Sequence, residues 1–118
     1  MKKILLVEDN PGDADLARLA FETAEIECDI RVAESGEKAL AIAAESANSA
    51  TAWAPDLVLL DLKLPTMTGH DVLRRLKGDE TLRRIPVIAL SSSAAAEDIE
   101  LSYDLSVNSY IQKRKLKG

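Results

Sequence analysis

Asp56-Leu57-Val58-Leu59-Leu60-Asp61 is the stretch from which the rest of the chain can be read. Leu57 to Leu60 form an apolar run too short for a buried helix, and the acids that bound it mark its ends. A run of this kind suits a strand covered on both faces, as in a parallel sheet. Asp61 would then stand at the carboxyl end of a buried strand. Outward from it, Leu64-Pro65-Thr66-Met67-Thr68-Gly69 reads as a loop, and Val72, Leu73 and Leu76 define a short helix ended by Gly78. Pro86-Val87-Ile88-Ala89-Leu90 is the next strand. Ile99, Tyr103 and Leu105 belong to a further helix, and Tyr110-Ile111 to a last strand.

Toward the amino terminus the same alternation holds. Ile4-Leu5-Leu6-Val7 is a buried strand, followed by the turn Asp9-Asn10-Pro11-Gly12-Asp13, which ends in an acidic helix start. Leu16, Leu19, Ala20, Thr23 and Ala24 recur at helical spacing. Ile30 and Val32 mark a strand, Ser35-Gly36 opens a helix through Leu40 and Ile42, and Ser46 to Ala54 reads as a loop around Trp53. Strand and helix alternate throughout, which specifies a doubly wound parallel α/β sheet with helices on both sides. Right-handed crossovers leave few topologies for it. With 118 residues, no internal repeat and no linker, the chain is expected to be a single domain, 1–118.

Composition narrows the function. The net charge of −5 argues against nucleic acid as the main partner, because phosphate backbones are bound by a surplus of Lys and Arg. The basic run Lys113-Arg114-Lys115-Leu116-Lys117 reads as a solvated terminus. Cys28 stands alone, so an internal disulfide is impossible and a reducing compartment is expected. The apolar run after Lys2-Lys3 is too short for a secretory leader, and no run approaches a membrane span. The expectation is a cytoplasmic protein.

The acids are placed where they can act together. Glu8 and Asp9 follow the first strand, and Asp61 ends the third. Carboxyl ends of parallel strands share one edge, where ligands bind at the topological switch point. If the first and third strands are neighbours, these carboxylates meet in one cleft. Anions roughly 4 Å apart repel by about 4 kcal/mol per pair at an effective dielectric of 20, so the cluster calls for a counter-charge. All-oxygen ligands in an open, hydrated site suit Mg²⁺. Ser91 follows the fourth strand and Lys113 the fifth, so both project to the same edge. A hydroxyl and an ammonium beside a metal-bound carboxylate make a phosphoryl-binding set. Taken singly, each of these residues reads as a turn, a cap or a solvated charge; the joint pattern carries the reading.

The markers Leu6-Val7-Glu8-Asp9, Leu59-Leu60-Asp61-Leu62-Lys63-Leu64-Pro65, Gly69, Pro86-Val87-Ile88-Ala89-Leu90-Ser91-Ser92 and Tyr110-Ile111-Gln112-Lys113 resemble the response-regulator receiver family over essentially the whole chain. The resemblance implies a five-stranded sheet of order 2-1-3-4-5. It implies a phosphoacceptor switch of a two-component system, not a turnover enzyme, phosphorylated by a sensor histidine kinase and read by a downstream protein. Asp61 would be the phosphoacceptor, Asp9 a direct Mg²⁺ ligand, Glu8 an acid acting largely through metal-bound water, and the Lys63 backbone carbonyl a further ligand. Ser91 would be the switch hydroxyl, Tyr110 the switch aromatic, Lys113 the cation on the phosphoryl oxygens, and Ser92 a position kept small. The Asn10-Pro11-Gly12-Asp13 turn, the loop near Trp53 and Ser102-Tyr103-Asp104-Leu105 are similar to small regulators that partner phytochrome-type and hybrid histidine kinases.

The chain departs from the family pattern in having Arg114 where a proline commonly follows the lysine, and in stopping at Gly118 before a fifth helix. Losing four buried apolar side chains would remove roughly 6–12 kcal/mol. The expectation is a truncated chain whose exposed sheet face is covered by a second copy, a homodimer. The competing readings are a phosphorylation-independent adaptor and a Mg²⁺-dependent phosphatase of the haloacid dehalogenase type. The latter wants a second Asp where Lys63 stands.

Overall fold

The computed structural model describes residues 1–90 and the backbone of 91 and 109–112. The chain runs β1 (Lys2–Val7), α1 (Pro11–Thr23), β2 (Cys28–Ala33), α2 (Gly36–Asn48), β3 (Leu57–Asp61), α3 (Gly69–Gly78), a single 3₁₀ turn (Leu82–Arg84), β4 (Val87–Ser91) and β5 (Ser109–Gln112). The helix expected around Ile99–Leu105, the fifth helix judged missing and the cover of a second copy lie outside the described residues.

The strands form one parallel sheet in the order β2-β1-β3-β4-β5, as the resemblance implied. Period-two alternation divides the core between the two faces. Leu5, Val7, Val58, Leu60, Val87 and Ala89 pack with Val72, Leu73 and Leu76 of α3 and Ala39 and Ala43 of α2. Ile4, Leu6, Leu59 and Leu90 pack with Ala14 and Ala17 of α1. An apolar groove of about 320 Å³ lies between α1 and β3–β4, lined by Phe21, Ile26, Leu57 and Ile88 among others.

Helix starts follow local chemistry. The Asn10 side chain accepts a hydrogen bond from the Asp13 amide, Ser35 from Lys38 and Thr68 from Asp71, each satisfying a donor that the first turn leaves over. Pro11 occupies the opening turn of α1, where its missing N–H costs nothing. The loop expected from Ser46 begins later, because α2 continues to Asn48. Ala43, Ala44 and Ala47 favour helix, and the Ser46 hydroxyl bonds back to the Ala43 carbonyl at 2.6 Å. Trp53 closes the α2–β3 loop by packing on the core, donating its indole N–H to Asp29 Oδ2 at 2.8 Å and lying under the Arg31 guanidinium.

Candidate metal centre

Register brings the acids together. Val7 is level with Leu60 across the β1–β3 pair, so the next residues, Glu8 and Asp61, leave adjacent strands at the same height. Glu8 is held there by its amide, which donates to the Ala33 carbonyl of β2 at 3.0 Å. Asp9 follows as the chain turns into α1. One carboxylate oxygen from each of Glu8, Asp9 and Asp61 lies within 4.8 Å of the others. Glu8 is 2% exposed and Asp61 3%, while Asp9 is open to solvent.

This placement is electrostatically costly without a cation. Desolvated carboxylates so close repel, and backbone donors offset part of that repulsion. The Asn10 amide donates to Glu8 Oε1 at 3.1 Å, and the Lys63 amide to Asp61 Oδ1 at 3.0 Å. Oxygen donors alone, two of them buried and one exposed, fit a hard divalent ion that keeps part of its water. Beside the acids a cleft of about 230 Å³ runs along the first turns of α1, lined by Asp15, Arg18 and Glu34 as well as Glu8 and Asp9.

The loop after β3 is built around Asp61. Leu62 continues the ladder by donating its amide to the Leu90 carbonyl at 3.1 Å, and its own carbonyl accepts from the Gly69 amide at 3.1 Å. The Thr66 hydroxyl donates to both Glu37 oxygens, at 2.9 and 2.8 Å, tying the loop to α2. Lys63 itself is exposed at the rim.

Among the residues expected at the site, Glu8, Asp9 and Asp61 converge, and Lys63 adjoins them through its amide. The Ser91 backbone ends β4 opposite Gln112, one step beyond the level of Asp61 and Leu90. The side chains of Ser91 and Tyr110, and Ser92 and Lys113 altogether, lie outside the described residues. The amide donors of Asn10 and Lys63 were missed from sequence, since every residue but proline carries an N–H and only the loop's path aims it. His70 sits partly buried as the second residue of α3.

The family profile described as the response regulator receiver domain matches residues 4–117. Response regulator Rcp1 of Synechocystis is 38% identical over 117 residues, covering 98% of this chain and 80% of that protein. Two solved structures superpose closely. The phosphorylated cyanobacterial phytochrome response regulator RcpA gives a TM-score of 0.86 at 42% identity, over 98% of this chain and 85% of that one. The Mn²⁺-bound form of Rcp1 gives 0.87 at 32% identity, over 100% and 91%.

Proposed function

The chain belongs to the response regulator receiver domain family, and from that premise we propose that it accepts a phosphoryl group on Asp61 from a sensor histidine kinase. The observation that carries the reading is the convergence of Glu8, Asp9 and Asp61, two of them buried, at the carboxyl edge of the sheet. Mg²⁺ is the proposed ion, held by Glu8, Asp9, Asp61 and the Lys63 carbonyl. When bound it supplies positive charge for the phosphoryl oxygens.

In the transfer, an Asp61 carboxylate oxygen attacks phosphorus in line with the P–N bond of a phosphohistidine. The new O–P bond forms as the P–N bond breaks, and its electron pair leaves with the imidazole. The buried carboxylate of Asp61 is oriented by the Lys63 amide, so little reorganisation precedes attack. Lys113 and Ser91 are assigned to the phosphoryl oxygens, and Tyr110 to sensing the shift of Ser91. The product dianion alters the surface that a downstream protein reads. The domain spans 1–118, acts in the cytoplasm and is a switch, not a turnover enzyme. A phytochrome-type kinase is the proposed partner, supported by the likeness to RcpA.

Incubation with acetyl phosphate and Mg²⁺, followed by intact mass, tests the proposal. One added phosphoryl group is expected, absent with a chelator and absent in Asp61→Asn. No gain in the unmodified protein would leave the phosphorylation-independent adaptor as the standing reading.

A further inference from the structure

We propose that Gly69 is a positioning residue for Asp61, acting through the single peptide unit that joins Leu62 to Lys63; the inference rests on Asp61 being the phosphoacceptor. The carbonyl of that unit, Leu62 O, accepts from the Gly69 amide at 3.1 Å. The N–H of the same unit, on Lys63, donates to Asp61 Oδ1 at 3.0 Å. A peptide unit is planar and its C=O and N–H point in opposite directions, so holding one end aims the other. The unit before it is anchored separately, because the Leu62 amide donates to Leu90 in the sheet. Gly69 therefore governs the direction from which the Asp61 carboxylate receives the Lys63 hydrogen bond.

Only glycine can stand where this donor must be. Gly69 opens α3, so its amide is one of those the helix leaves without an internal acceptor. A Cβ built on it would lie 2.4 Å from the Asp61 carbonyl oxygen, 2.5 Å from Leu62 Cα and 3.0 Å from the Asp61 carbonyl carbon. All three are backbone atoms and cannot swing aside as a flexible side chain could. Adding a side chain must move the first turn of α3 off β3 or displace the Asp61–Leu62 backbone. Gly36 is a contrast: the three atoms nearest its hypothetical Cβ are side-chain atoms of Val72 and Met67.

The test compares Gly69→Ala with Val72→Ala, which loosens the same helix in the core without touching the relay. Without metal, nuclear magnetic resonance of the Lys63 amide should show an upfield shift and about tenfold faster exchange in Gly69→Ala. With Mg²⁺, uptake of beryllofluoride as a phosphoryl analogue should weaken by about tenfold or more in Gly69→Ala. Val72→Ala should keep the Lys63 signal and the uptake of the unmodified protein. An unchanged Lys63 amide in Gly69→Ala, or an equal change in Val72→Ala, would overturn the proposal. Should Gly69→Ala not fold, scalar coupling across the hydrogen bond from Gly69 N–H to the Leu62 carbonyl is measured in the unmodified protein, and its absence overturns the relay. Failure of the unmodified protein to take up beryllofluoride would count against the phosphoacceptor reading, while the metal-free amide signal still decides the role of Gly69.

Discussion

Among the described residues, Glu8 and Asp61 are the polar side chains sunk in the core, and both point to the edge where Asp9 stands in solvent. Their like charge sets a trade between stability and metal binding. Asp9→Asn removes one anion, so without metal the variant should be more stable by about 1 kcal/mol in urea unfolding, the exposure of Asp9 keeping the gain small. Its Mg²⁺ affinity should fall about tenfold or more, seen by titration calorimetry. A variant less stable than the parent without metal would contradict the repulsion argument. At this scale the sequence was legible where chemistry sits in side chains. Glu8, Asp9 and Asp61 each follow or end an apolar run, and the run's register does the rest. The Lys63 and Asn10 amides were not legible, because a backbone donor acquires its direction from a loop whose path no residue type announces. Gly69 was legible as a marker, but the space it leaves for Asp61 and Leu62 depends on how α3 docks.

Elements were read well where apolar runs were bounded by turn residues, as at β3 and β4. They were read less well where a polar stretch continued a helix, as at Ser46–Asn48 of α2. The link from α3 to β4 went unread: a 3₁₀ turn over Leu82–Arg84 is pinned by Asp79 Oδ1, which accepts from the amides of Thr81 and Leu82. Lys77 closes the same link by donating to the carbonyls of Arg83 and Ile85, at 3.2 and 3.0 Å. Lys77→Met keeps the aliphatic stem and deletes both bonds, and should cost about 1 kcal/mol in urea unfolding. Partial burial holds the Lys77 ammonium below its usual 10.5. The unfolded chain thus keeps the proton to higher pH than the folded one, so this group adds stability as pH rises through its folded value toward 10.5. The deficit of Lys77→Met should accordingly be larger near the top of that range than at neutral pH.

At the scale of the molecule, the alternation of short apolar runs and amphipathic stretches was enough for a parallel sheet, and the receiver markers supplied its strand order. The proposed cation binding would couple the site to the whole fold. An ion that binds only the folded chain stabilises it by about 2.7 kcal/mol at a hundredfold excess over its dissociation constant. For a domain of this size that is on the order of 10 °C in the calorimetric melting temperature, and Asp61→Asn should lose most of the increment. Identical melting with Mg²⁺ and with a chelator would separate the acidic cluster from metal binding. The Trp53 contacts bear on a different property. β2 is a margin of the sheet, and a strand there offers its outer N–H and C=O groups to any extended polypeptide nearby. Asp29 and Arg31 put opposite charges on that strand, and Trp53 binds both; charged side chains on a marginal strand disfavour pairing with a foreign one. The same two charged residues that hold Trp53 over its loop thereby discourage edge-to-edge aggregation.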